Sequence, residues 1–131
     1  RRRQRQMCIR DRYIPNRSDA HSDHRAVFSA IMACSKNFRY PFIEQILMCE
    51  VISETDFAPI LGENTFSPNY FIDISEVFIK KIEILKMFGS ELLPYPMTRN
   101  QSAIEALNRY RGTLINAEYA EAFMSIKTIV R

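Results

Sequence analysis

The sequence predicts an α/β fold, in which helices pack on a sheet that contains parallel strands. Amphipathic helical segments alternate with short apolar runs along the chain. The clearest run, Ile46–Cys49, has the continuous apolar character of a strand buried on both faces. The 131 residues suit one domain with one core. A central sheet usually has about five strands, and the sequence indicates only two or three, so it predicts part of an α/β domain.

The first helix is expected to begin near Asp23 and to fray by Asn37. Either Ser22 or Asp23 can cap the exposed amides of its first turn. Residues at i, i+3, i+4 and i+7 then form one largely apolar face. That face carries His24, Val27, Phe28 and Ile31.

A loop and a second helix are expected next. Residues 57–69 are rich in Pro, Gly and Asn and predict the loop, and a brief strand follows at Tyr70–Ile74. The second helix begins after Ser75 and ends at Gly89. Its apolar face consists of Phe78, Ile82, Leu85 and Phe88.

A third helix follows the extended, proline-containing segment Leu92–Pro96 and runs to Gly112. The final segment, Ala122–Val130, fits a last strand or the end of a helix, and the pattern does not decide between them. The capping box of the third helix is one of two pairs, Thr98 with Gln101 or Ser102 with Glu105.

Composition excludes several classes of protein. The chain is 47% apolar and 25% charged with three Gly, which excludes a disordered or collagen-like chain. No stretch approaches the ~18 consecutive apolar residues of a membrane span. The cysteines, Cys8, Cys34 and Cys49, are odd in number and form no CxxC pair. We therefore expect no disulfide framework and a reducing, cytoplasmic setting.

The excess basic charge lies in a short N-terminal arm. Residues 1–12 hold six Arg and one Asp, whereas the other residues carry 12 basic and 14 acidic side chains. We expect this arm to be a disordered tail or a sequencing artefact, and the body of the domain to begin at Tyr13. A non-specific contact of the arm with an anionic partner is the alternative, and no specific nucleic-acid site is predicted.

Both histidines of the chain lie in one acidic segment, Asp19-Ala20-His21-Ser22-Asp23-His24. Imidazole is the commonest metal ligand near neutral pH, and a neighbouring carboxylate fixes its tautomer. A simple helix cap on the surface is the competing interpretation. A catalytic zinc ion takes three protein ligands and a water, whereas this segment offers one or two. The other ligands must come from elsewhere.

Two further positions are weaker candidates. Glu50 and the residues that follow it come directly after a buried strand, where α/β proteins often contact ligands. Arg99 follows the proline-rich segment and suits an anion or a sugar hydroxyl. A solvated turn and a helix-flanking charge are the simpler explanations.

Several motifs, in order, resemble those of the PIG-L/LmbE-like zinc-dependent N-deacetylases. His21-Ser22-Asp23-His24-Arg25-Ala26 resembles the family's HPDHRA motif, with Ser22 in place of proline. The likeness extends over about Tyr13 to Ile129. The other matching segments are Cys49–Thr55 (like YE-x-x-S-x-T), Phe66–Ile74 (F-x-P-N-x-F-x-D-I), Ser90-Glu91, Arg99 (PHPRS, with Met97 where its histidine is expected), Arg111-Gly112 and Tyr119–Phe123 (YAEAF).

This resemblance implies a three-layer, Rossmann-like hydrolase that removes the acetyl group from an N-acetylglucosamine-type sugar or glycoconjugate. His24 would then be a Zn²⁺ ligand, and His21 would stabilise the oxyanion, oriented by Asp23. The remaining implied residues support the site or bind substrate; they are Arg25, Glu50 and Arg99.

One hallmark of the family has no counterpart in the sequence. The AHPDD motif, which brings the other zinc ligands and the general base, is missing. We therefore expect residues 13–131 to be the C-terminal portion of a deacetylase domain and to be inactive alone. The alternative is a non-catalytic homologue or a binding module that uses the basic arm. Substrate identity and oligomeric state, a homo-oligomer included, stay open.

Overall fold

The computed structural model describes residues 10–131, which form four strands and three α-helices. The first nine residues of the expected basic arm lie outside this described part. The elements are β1 (Asp11–Pro15), α1 (Ser22–Ala33), β2 (Gln45–Cys49), β3 (Tyr70–Asp73), α2 (Phe78–Met87), α3 (Gln101–Thr113) and β4 (Ala120–Thr128).

The strands form one mixed sheet in the order β1-β2-β4-β3. β1 and β2 are parallel, and Ile14 pairs with Met48. β4 is antiparallel to both of its neighbours, β2 and β3. The α/β class is therefore confirmed, whereas the sheet is mixed and only the β1–β2 pair is parallel.

Helices cover both faces of this sheet. On one face, the buried side chains Ile14, Ile46 and Met48 pack against Phe28 and Ile31 of α1. On the other, a second cluster joins the end of β3 to α2 and to the start of β4. In this cluster the rings of Phe78 and Tyr119 stack with centroids 3.8 Å apart. α2 therefore buries Phe78 and Ile82, whereas α1 contacts the sheet through partly buried apolar side chains.

The first strand was not expected from the sequence. β1 begins at Asp11, so the boundary expected between Arg12 and Tyr13 falls inside a strand. Its backbone is tied to the start of β2, because the carbonyl of Arg10 accepts the amide N–H groups of Glu44 and Gln45. Charged residues at two of its five positions hide the apolar signal of this strand.

The helix ends also differ in detail from the predictions. The N-cap of α1 is His21, not Ser22 or Asp23, and the N-cap of α3 is Asn100, not Thr98 or Ser102. Asn100 Oδ1 accepts the N–H of Ala103 at 2.9 Å. These corrections share a cause, because an acceptor just before the first turn satisfies amides that residues inside the helix cannot reach.

Two residues expected on buried helical faces are exposed. Val27 of α1 is half-exposed, and Phe88 lies past the end of α2 with its ring exposed. α2 ends at Met87, so Phe88 no longer continues the apolar stripe of the helix. The undecided C-terminal segment is the strand β4, which is the longest of the four.

Candidate functional site

The candidate site lies at the carboxyl edge of the parallel pair β1–β2. Parallel strands end at the same edge of a sheet, so the segments that follow them lie close together. The amide N–H of Ala20, after β1, donates to the carbonyl of Glu54, after β2, at 3.0 Å. The two loops are therefore bound to each other below the first turn of α1.

The centre of the site is a pair formed by His24 and Asp19. His24 Nδ1 lies 2.7 Å from Asp19 Oδ2. The Asp19 carboxylate is fully buried, whereas the His24 ring is 27% exposed. Because an ionised carboxylate only accepts hydrogen bonds, Nδ1 carries the proton. The lone pair of the neutral ring is therefore on Nε2, which is the state in which a histidine ligates a metal through Nε2.

Asp19 is the functional candidate that the sequence did not assign. The acidic segment contained it, but its five-residue separation from His24 gave no reason to pair them. In the structure the two are paired because His24 lies in the first turn of α1, and this turn brings its ring against the preceding loop, which carries Asp19. An acidic residue about one helical turn before a capped helix start is the signal that could have found it.

His21 and Asp23 contact each other differently from the expectation. His21 Nδ1 accepts the main-chain N–H of Asp23 at 3.1 Å. The Asp23 carboxylate lies 4.0 Å from the same nitrogen and its side chain is 85% exposed. The main chain of Asp23, more than its carboxylate, therefore orients the His21 ring. With Nδ1 accepting, the proton of the neutral ring is on Nε2.

The two imidazoles lie together, with ring centroids 5.3 Å apart and planes inclined by 26°. They therefore present opposite chemistry at one place: His24 offers a lone pair at Nε2, and His21 offers an N–H donor. A metal ligand beside a hydrogen-bond donor is the arrangement needed to polarise a carbonyl and hold the resulting oxyanion.

Arg25 supports the loop beneath this pair. Its guanidinium donates to the main-chain carbonyls of Asp19 and Ala20, each at 2.7 Å. Charge-assisted hydrogen bonds of this kind are stronger than neutral ones. Arg25 therefore fixes the backbone that carries Asp19.

Glu50 and Arg99 do not join the histidines. Glu50 forms a two-point ion pair with Arg111 of α3, at 2.6 and 3.0 Å. Arg99 contacts Glu91 at 2.7 Å. Both Glu50 and Arg99 line a cavity of about 440 Å³ between the sheet, α2 and α3, and His21 and His24 are not among its lining residues.

Two further polar groups lie beside the site, the partly buried thiol of Cys49 and the buried amide of Asn16. Cys49 ends β2, and burial, followed by the nearby Glu121 and Asp19 carboxylates, raises the pKa of its thiol to about 11. Asn16 follows β1 and is almost fully buried, but its Nδ2 donor has no hydrogen-bond partner among residues 10–131. A buried N–H of this kind calls for an oxygen acceptor.

A complete metal centre is not formed by the described part of the chain. Among residues 10–131, no group of three or more His, Cys, Asp and Glu side chains is arranged to hold a metal ion. Of the two histidines, His24 has the hydrogen bonding of a metal ligand, because its Nδ1 lies 2.7 Å from the Asp19 carboxylate. Likewise, none of the helices formed by these residues has the length and apolar character needed to span a bilayer.

Comparison with known proteins leaves the family open. Neither the protein-family models nor the curated proteins with which the chain was compared match it. The likeness to the zinc N-deacetylases therefore depends on the motifs quoted above.

Proposed function

We propose that this chain supplies the histidine part of a zinc-dependent N-deacetylase site. The observation that carries the proposal is the 2.7 Å contact between His24 Nδ1 and the buried carboxylate of Asp19. Histidines that ligate metals almost always donate their other N–H to a carboxylate, a carbonyl or a water. A helix cap on the surface would not need a buried carboxylate, such as that of Asp19, in contact with the His24 ring.

The residues present fit one ligand position of a zinc site. In this proposal His24 Nε2 is that ligand, and the remaining ligands come from a segment outside residues 10–131, as the family resemblance implies. The unpartnered Nδ2 of Asn16 at the same edge supports a site that is completed by additional oxygen atoms. An amide N–H cannot ligate a cation, so Asn16 would face a carboxylate or a substrate oxygen.

Each residue of the site then has a defined task. Zinc, when bound, supplies a hydroxide near neutral pH and polarises the amide carbonyl. His21 donates from Nε2 to the oxygen on which negative charge develops, and its cap on α1 keeps the ring in place. Asp19 holds the His24 proton on Nδ1, and Arg25 holds the Asp19 backbone.

The proposed function extends to the type of α/β fold and to the class of substrate. The carboxyl-edge location and the helices on both sheet faces support a Rossmann-like, three-layer fold of the LmbE type. The substrate class is an N-acetylglucosamine-type sugar or glycoconjugate. The cavity lined by Glu50 and Arg99 has the size of a small-molecule pocket and is where part of such a glycoconjugate would bind.

The test uses the protein expressed from the natural reading frame that encodes these residues. Zinc content is measured by mass spectrometry and acetate release from N-acetylglucosamine derivatives is assayed. His24→Ala should lower zinc affinity by at least about 10–100-fold and abolish turnover. His21→Ala should keep the zinc and lower kcat by about 10²–10³-fold. Lys86→Ala, at an exposed position of α2, is the control; wild-type turnover in His24→Ala contradicts the proposal.

A further inference from the structure

Thr55 contacts the candidate site through a buried hydroxyl that no catalytic assignment uses. The hydroxyl lies in the segment after β2 and is 2.8 Å from Asp19 Oδ1. The same oxygen accepts the amide N–H of Val51 at 2.9 Å. Because that N–H occupies one lone-pair direction of the hydroxyl, its single proton is directed to Asp19. The hydrogen bond therefore has a fixed direction.

Both oxygens of the Asp19 carboxylate are thereby occupied. Oδ1 accepts from Thr55, and Oδ2 accepts from His24. A carboxylate held at both oxygens cannot rotate without breaking one of these hydrogen bonds and leaving a buried polar group unpaired. The plane of Asp19 is therefore set by a residue from the neighbouring strand's loop.

Backbone hydrogen bonds hold the loop that carries Thr55 to its own first residue, Val51, and to the loop after β1. The amide N–H of Thr55 donates to the carbonyl of Val51 at 2.8 Å, and the carbonyl of Glu54 accepts from Ala20. The hydroxyl and the carboxylate that it contacts are therefore bound to the same two-loop unit. The segment after β2 therefore helps to fix the His24 ring, because Thr55 contacts Asp19 and Asp19 contacts His24.

We infer that Thr55 is a positioning residue that, through Asp19, holds His24 in the Nδ1–H tautomer with Nε2 available to a metal. The inference rests on the proposed function, because it assigns a use to that tautomer. Thr55, which lies 31 positions from His24 in the sequence, thereby controls the geometry of the ligand without contacting the ligand atom.

Paired variants separate this role from a merely structural one. Thr55→Val keeps the branched shape and removes the hydroxyl, whereas Thr55→Ser keeps the hydroxyl. Thr113→Val removes an exposed threonine hydroxyl from α3 and is the matched control. The first readout is the tautomer of His24 in the full chain, read from long-range ¹H–¹⁵N NMR correlations. Thr55→Val should shift the ring toward Nε2–H, and both other variants should resemble wild type.

The second readout is the Zn²⁺ affinity of the protein expressed from the natural reading frame, measured by competition with a chelator and without any other ligand. Thr55→Val should weaken it by about 10–100-fold, and Thr55→Ser should restore it. An unchanged tautomer and zinc affinity in Thr55→Val, with zinc lost in His24→Ala, overturns this inference and leaves the proposed function standing. Zinc retained in His24→Ala overturns the proposed function instead.

A measurement on the wild-type chain does not depend on whether Thr55→Val folds. A hydroxyl proton that is directed to a buried carboxylate exchanges slowly with water. The Thr55 hydroxyl proton should therefore be visible by NMR and protected from solvent exchange. Exchange at the rate of an exposed hydroxyl, such as that of Ser102, contradicts the assignment.

Discussion

At the scale of single residues, environment decides which group is reactive. The chain concentrates its histidines at one helix start, but they differ because one donates from Nδ1 to a buried carboxylate and the other accepts at Nδ1. Identical residue types therefore present opposite tautomers. The sequence predicted that the two histidines lie together, whereas only the structure identified the hydrogen-bond partner of each ring.

The cysteines give a test of environment at this scale. Burial and nearby carboxylates raise the pKa of Cys49 to about 11, whereas Cys34 is exposed at the C-cap of α1. The raised pKa leaves Cys49 almost entirely in the thiol form at pH 8, and the thiol form is not the nucleophile. Cys34 should react with iodoacetamide before Cys49, and Cys49 should react slowly until the pH approaches 11.

Peptide mapping by mass spectrometry measures this order directly. Cys34→Ser removes the fast site among the described residues and is the control. Fast labelling of Cys49 at pH 8 in the folded chain would contradict its partial burial and the raised pKa that follows from it.

At the scale of elements, local patterns predicted the helices better than the strands. α1, α2 and α3 carry apolar stripes that the sequence displays directly, and β2 is a continuous apolar run. β1 has too few apolar residues to be recognised. β4 contains Ala, Glu, Met and Lys, which favour helices, and its conformation is set by pairing with β2 and β3 on either side.

Gly112 shows how an element depends on one small residue. It lies in the last turn of α3, where a Cβ would come within 2.5 Å of the carbonyl oxygen of Ala117. Gly→Ala inside a helix ordinarily stabilises by about 0.5–1 kcal/mol. Here the overlap is with main chain leading into β4, so Gly112→Ala should instead lower the free energy of unfolding by about 1–3 kcal/mol.

Urea unfolding measures this effect. Gly89→Ala is the matched control, since its Cβ would meet nothing closer than 4.0 Å. Its free energy of unfolding should change by less than about 0.5 kcal/mol. A stabilised Gly112→Ala variant would mean that α3 and the turn into β4 do not approach as closely as described.

At the scale of the whole molecule, an ion pair between Glu50 and Arg111 joins the segment after β2 to α3. Glu50 follows β2 and Arg111 lies in α3, and their side chains are only 16% and 14% exposed. This pair explains two segments of the sequence, the Glu after the buried strand and the Arg-Gly near the end of α3, as parts of one contact. It is one of the long-range features that local patterns could not predict.

Removing one partner should therefore cost more than a surface ion pair does. Arg111→Met leaves a largely buried carboxylate unpaired and should lower the free energy of unfolding by about 2–4 kcal/mol. Adding Glu50→Gln should recover part of that loss, because the uncompensated charge is gone. Arg99→Met, whose partner Glu91 is 58% exposed, should cost less than about 1 kcal/mol.

Thermal and urea unfolding of the single and double variants measure the coupling free energy between Glu50 and Arg111. Equal losses in Arg111→Met and Arg99→Met would contradict the burial of the Glu50–Arg111 pair.

In the proposed site, the Asp19 carboxylate holds the proton of His24 on Nδ1 and leaves Nε2 for a metal. Long-range ¹H–¹⁵N NMR of the full chain, at a pH where the spectrum shows both rings neutral, measures that tautomer directly. The structure predicts Nδ1–H for His24 and Nε2–H for His21, and Asp19→Asn should abolish the difference. A His24 ring found in the Nε2–H form would contradict this assignment, because the nitrogen proposed to bind the metal would already carry a proton.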